Sequence, residues 1–64
     1  MEIIIKVADL MKKAQELSDD NMPEVIVSFD EGDDDLPPAL CFHAPDPEGL
    51  FGPIDYDEIE GRLI

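Results

Sequence analysis

The sequence predicts a small α+β domain: one amphipathic helix packed on a small, mainly antiparallel sheet in the order β-α-β-β, with a short C-terminal helical turn. Three observations predict this class. Apolar residues recur with helical spacing in one early segment. Runs of β-branched and aromatic residues lie on both sides of it. Proline, glycine and aspartate separate the later runs. The 64 residues suffice for one domain, residues 1–64.

The N-terminal part of the chain contains the first predicted strand and the helix. Residues 2–6 include three consecutive isoleucines, which favour extended structure. Residues 7–17 are predicted to be helical, since their apolar positions form one stripe that we expect to be buried. A polar segment, 18–21, ends the helix, and Pro23 cannot continue it. The stripe consists of Val7, Leu10, Met11, Ala14 and Leu17.

The remainder of the chain predicts two strands and a helical turn. Residues 24–29 and 39–43 alternate or group their apolar side chains as strands do, and an acidic turn at 30–35 lies between them. Cys41 and His43 are expected on one strand face. The helical turn is predicted from Asp55, which resembles an N-cap with Glu58 three positions later. Tyr56 and Ile59 then follow helical spacing.

Charge is the dominant feature of the composition. Seventeen acidic residues against four basic ones give a net charge of −13, and the 48 residues from 14 to 61 contain no Lys or Arg. Direct binding to nucleic acid is excluded, because it requires basic residues. A membrane span is not expected, since no stretch approaches ~20 apolar residues. The single cysteine, Cys41, favours a reducing compartment, and we expect the cytoplasm.

The sequence offers little for catalysis or for a cofactor. Cys41 and His43 have no evident third partner for nucleophilic chemistry. The run 30–35 does not fit a calcium loop, which needs Gly at its sixth position and Glu at its twelfth. A structural zinc site needs four ligands, mostly Cys and His, and this chain offers only Cys41 and His43. We therefore expect a non-enzymatic protein without metal or cofactor.

The charge itself points to a basic partner. A compact domain of this length is about 28 Å across, and duplex DNA of ~28 Å carries ~16 charges. The 13 net negative charges of this chain are close to that density. One hypothesis is therefore acidic mimicry of nucleic acid. The alternative is a regulatory or structural module whose apolar strands pair with a partner or with a second copy, while charge serves solubility.

The whole chain also resembles the small acidic proteins encoded by phages and mobile elements, including DNA-mimicking anti-CRISPR and anti-restriction proteins. The shared features are the short length, the acid-rich run 24–35 and the α+β order. The opening from Val7 through Val27 is similar to a helix-then-strand opening found in phage proteins. The resemblance implies an inhibitor in the host cytoplasm that occludes a DNA-binding site, for example on a CRISPR effector.

The predicted partner-binding residues are acidic, and two apolar residues could add an anchor or instead close the core. Dimerisation remains open as a further source of stability. The acids are Asp30, Glu31, Asp33, Asp34, Asp35, Asp46, Glu48, Asp55, Asp57, Glu58 and Glu60, and the apolar candidates are Leu50 and Phe51.

Overall fold

The computed structural model describes residues 1–64 and contains one helix and five strands. In chain order they are β1 (Ile3–Ile4), α1 (Val7–Asp19), β2 (Ile26–Asp30), β3 (Ala39–Ala44), β4 (Ile54–Glu60) and β5 (Arg62–Leu63). Strands β2, β3 and β4 form an antiparallel sheet in that order, and β1 pairs with β5. The predicted α+β class is confirmed. The observed order of elements, β-α-β-β-β-β, has two more strands than the predicted β-α-β-β.

The predicted C-terminal helical turn is wrong, because strand β4 occupies its place. Cys41 pairs with Glu58 but His43 pairs with Asp55, so two steps along β3 match three along β4. This extra residue is a β-bulge, and Asp57 adopts the positive φ of 64° within it. The bulge turns Tyr56 and Ile59 toward the same side, and both are buried. A spacing of three, typical of a helix, therefore arises here in a strand.

The predicted helix is confirmed, but its apolar stripe is mostly exposed. Leu17 is the one buried residue of α1, whereas Val7 and Met11 are 71% and 67% exposed. The helix is instead attached to β4 by polar contacts. The Lys13 ammonium donates to the Tyr56 carbonyl, and the Tyr56 hydroxyl donates to Asp20 at 2.7 Å. That hydrogen bond is the main reason that the pKa of Tyr56 is raised.

The core is small and lies between α1 and one face of β3 and β4. Its buried residues are Leu17, Phe42, Ala44, Tyr56 and Ile59. Because α1 lies over β4, it leaves β2 uncovered, and all five residues of β2 are exposed. The sheet thus has a helix-side face, covered only in part, and an opposite face that no element covers, termed the open face. The helix is too short and too polar for a membrane span.

Candidate functional site

The open face is defined by the register of the three strands. Phe42 and Ile59 point toward the helix, so their neighbours along each strand point away from it. Three cross-strand rows result on the open face, namely Ile26–His43–Asp55, Ser28–Cys41–Glu58 and Asp30–Ala39–Glu60. The prediction that Cys41 and His43 share a strand face agrees with this register.

Carboxylates dominate the open face. Five exposed acids lie on it, and we call them the acidic stripe: Asp30, Asp55, Asp57, Glu58 and Glu60. No Lys or Arg forms a salt bridge with any of them. The salt bridges of the chain are Lys13 with Glu16 and, at 3.7 Å, His43 with Asp55. The stripe therefore presents negative charge that the fold leaves uncompensated.

The β2–β3 loop extends the acidic stripe at one end of the sheet. Asp30 accepts a hydrogen bond from the Gly32 amide at 2.9 Å, and Asp33 accepts from the amides of Asp35 and Leu36 at 2.8 and 2.9 Å. These Asx turns give the predicted acidic turn a defined shape. The carboxylates of Glu31, Asp34 and Asp35 make no hydrogen bond and are exposed, which leaves them available to a ligand.

Asp46 and Glu48 lie at the other end of the sheet, in the β3–β4 loop. The Asp46 carboxylate accepts hydrogen bonds from the backbone amides of Glu48, Leu50 and Phe51 at 3.1, 3.0 and 2.9 Å. These bonds to Glu48 and Phe51, and more weakly to Leu50, lower the pKa of Asp46. Asp46 therefore shapes its loop. The sequence signal for this role is an aspartate between two prolines in a turn.

The apolar candidates Leu50 and Phe51 lie at the tip of the same loop. They are 69% and 79% exposed, so they do not close the core. Their exposure keeps them available as an apolar anchor. The length of the sheet separates them from the β2–β3 loop. A small partner could therefore bind one of these loops without contacting the other.

Cys41 lies in the middle of the open face, where its thiol donates to the Glu58 carboxylate at 3.8 Å. The donor atoms of Asp30, Cys41 and Glu58 lie within 4.8 Å of one another, so these three residues are the set that could hold a metal ion. Desolvation, followed by the charges of Glu58 and Asp30, raises the pKa of the Cys41 thiol. The raised pKa opposes the thiolate that a soft metal requires.

The raised pKa predicts slow alkylation of Cys41. We expect the rate with iodoacetamide to rise with pH around a midpoint above that of the urea-unfolded chain, because the thiolate is the nucleophile. Glu58→Gln replaces the charged acceptor beside the sulfur with a neutral amide, so the midpoint should fall. Glu48→Gln, in the opposite loop, is the control and should leave the midpoint unchanged. An unshifted midpoint in Glu58→Gln would contradict the assigned contact.

Comparisons of the chain with known protein families, with curated proteins and with solved structures find no match. The function of the acidic stripe is therefore inferred from its own geometry and charge.

Proposed function

We propose that this protein is a non-enzymatic inhibitor that occludes a basic nucleic-acid-binding site on a partner protein. In this proposal the acidic stripe and the β2–β3 loop take the place of a phosphate backbone. The observation that carries it is the uncompensated charge of the open face, where five exposed carboxylates have no Lys or Arg partner. A CRISPR effector is one partner of the required kind.

The charge spacing of β4 supports the mimicry. Four carboxylates lie between residues 55 and 60. Because of the bulge, these five steps of β4 match four steps of β3, or about 14 Å, so the four carboxylates lie ~4.5 Å apart on average. One strand of duplex DNA carries one charge per ~3.4 Å of helix axis. A groove that positions Arg and Lys along a phosphate strand would therefore meet carboxylates at similar intervals.

The chemistry of the partner side supports the same proposal. Arginine forms paired hydrogen bonds with carboxylates and phosphates alike, because both offer two oxygens in one plane to its fork. A rigid strand presents its carboxylates without the ordering cost that a disordered acidic tail would incur on binding. Attraction at long range also speeds association, by an amount that falls with ionic strength.

The test is affinity capture of proteins from a host lysate on the immobilised 64-residue chain at low salt, followed by elution with duplex DNA. A retained nucleic-acid-binding protein is then titrated against a stripe variant, Asp55→Asn with Asp57→Asn, Glu58→Gln and Glu60→Gln. Four exposed pairs at about 0.5–1 kcal/mol each predict a loss of affinity of roughly 30- to 1,000-fold. The amides preserve side-chain size, so circular dichroism should report an unchanged fold.

The matched control removes four acids outside the stripe, by Glu2→Gln, Asp9→Asn, Glu16→Gln and Asp19→Asn. Both variants have a net charge of −9, since each removes four of the 17 acids. The control should lose less than threefold in affinity. Equal losses in the two variants would show that only total charge matters. Failure of DNA to displace the partner would refute the mimicry outright.

A second candidate function is an interaction module that pairs through its apolar strands. It is favoured by the exposure of β2, where Val27 and Phe29 are 51% and 40% exposed. Salt separates the two functions, because screening weakens a complex held by opposite charges but does not weaken an apolar one.

A further inference from the structure

We propose that two copies of this chain associate through strand β2, forming one continuous six-stranded antiparallel sheet. The surface that they share consists of the free edge of β2 and the apolar residues on its helix side. This inference does not depend on the proposed function, since it concerns a different surface.

The free edge of β2 lacks the usual protection. In the order β2-β3-β4 this strand has a neighbour on one side only, so its other side presents unpaired backbone amides and carbonyls. Edge strands are commonly protected by lysine, proline, a bulge or a covering element. Strand β2, Ile26–Asp30, contains no lysine and no proline, pairs with β3 without a register shift, and is exposed at every position.

An apolar surface adjoins this edge on the helix side. Val25, Val27 and Phe29 alternate along the strand and are 42%, 51% and 40% exposed. Beside Val25, between the C-terminal part of α1 and the segment that leads into β2, is an open groove of about 460 Å³, whose lining includes Ala14, Leu17, Met22 and Val25. The helix-side residues of β2 itself are uncovered, because α1 lies over β4.

The chain exposes more surface than a monomeric protein of its mass usually does. Monomeric proteins of this mass expose roughly 4,100 Å². This chain exposes 4859 Å², an excess of roughly 750 Å². A standard interface buries ~800 Å² on each partner. The radius of gyration, 12.7 Å, likewise exceeds the ~10.7 Å expected of a compact domain of this length.

The charge distribution favours a second copy over a basic protein on this surface. The helix-side residues of β2, Val27 and Phe29, are apolar, and Glu24 is the one acid that lines the adjoining groove, so a basic partner gains little here. An antiparallel pair centred on Ser28 would place Val27 of one copy opposite Phe29 of the other. It would place Asp30 opposite Ile26 and Glu31 opposite Val25. No acid then faces an acid directly.

The same register also separates the acidic loops. The two copies of Asp30 would be four residues apart along the strands, about 14 Å. This distance exceeds the screening length of about 8 Å at physiological salt. The two-fold axis is perpendicular to the sheet, so both open faces lie on one side. The dimer would thus present both acidic stripes on a single surface.

The proposal is tested by sedimentation equilibrium of the full chain at 0.05, 0.15 and 0.5 M NaCl. We expect a concentration-dependent dimer whose dissociation constant falls as salt rises, because screening reduces the repulsion between two chains of charge −13. This dependence is opposite to that expected for the complex with a basic partner. A chain that remains monomeric at 1 mM in 0.5 M NaCl would overturn the proposal.

Two further variants locate the contact. Val27→Lys places a charge at the centre of the shared surface, and we expect it to raise the dissociation constant at least tenfold. Ile64→Lys adds the same charge after β5, outside the three-stranded sheet, where Ile64 is 77% exposed, and should change the dissociation constant less than twofold. A dimer that Val27→Lys leaves intact would refute the assignment to β2.

The register is tested by a disulfide, so that the result does not depend on the folding of Val27→Lys. In a Cys41→Ser background, Ser28→Cys would place two thiols opposite each other across the two-fold axis. Mild oxidation should then yield a covalent dimer, whereas Ile64→Cys in the same background should yield none. Equal cross-linking of the two variants would overturn the register.

Discussion

Replacing Phe42 by alanine is expected to remove between about a third and all of the stability of the isolated domain at 25 °C. Phe42 is 3% exposed and is one of only five buried residues in the core. A buried Phe→Ala change costs about 3–5 kcal/mol, because apolar contacts are lost and a cavity remains. A domain of 64 residues has a total stability of roughly 3–10 kcal/mol. Circular dichroism during urea titration measures the loss.

The chain provides a matched control for this change. Phe51→Ala removes the same atoms from a side chain that is 79% exposed. We expect its free energy of unfolding to remain within about 0.5 kcal/mol of the original value. If both variants lost stability equally, Phe51 would belong to the core and the placement of the β3–β4 loop would be incorrect.

Replacing Gly61 by alanine is expected to destabilise the junction between β4 and β5. A Cβ atom at this position would overlap the Ile4 carbonyl oxygen and would lie 2.9 Å from side-chain carbons of Ile3 and Ile5. The Gly61 amide also donates to the Pro38 carbonyl at 2.9 Å, so the backbone has little room to shift. Overpacking of this kind costs about 1–3 kcal/mol. The melting temperature should fall by at least about 4 °C.

Gly52→Ala is the control for Gly61→Ala, because a Cβ atom at position 52 meets nothing within 4 Å. We expect Gly52→Ala to melt within about 2 °C of the original chain, since a surface change of this kind is nearly neutral. A normal melting temperature for Gly61→Ala would mean that β1 does not pack against this junction.

Both stability predictions bear on the acidic stripe. Phe42 packs on the opposite side of β3 from Cys41 and His43, and it faces the bulge that contains Asp57. Gly61 follows directly after Glu60. The spacing of the carboxylates thus depends on a small core and on a close backbone approach at the end of β4. If Phe42→Ala or Gly61→Ala lost partner binding, the cause would be disruption of strand β4 and not loss of charge. The stripe variant therefore uses amides, which remove charge but keep the size of each side chain.

The sequence by itself determined the local elements that have strong local signals. The helix begins at Val7 as its apolar spacing predicts, and it extends two residues beyond the predicted end to Asp19. The strands near residues 24–29 and 39–43 form within two residues of their predicted bounds. The acidic character of residues 30–35 is read directly from the residue types. These features follow from backbone preference and local charge, which neighbours in the chain decide.

Only the tertiary structure decided how those elements combine. The spacing of Tyr56 and Ile59 fits a helix as well as a bulged strand, and pairing with β3 selects the strand. The apolar stripe of α1 indicated a buried face, yet the helix lies over β4 and leaves Val7 and Met11 exposed. The register alone brings the Asp30 carboxylate beside that of Glu58. Cross-strand pairing joins residues that are distant in sequence, and no local pattern encodes that choice.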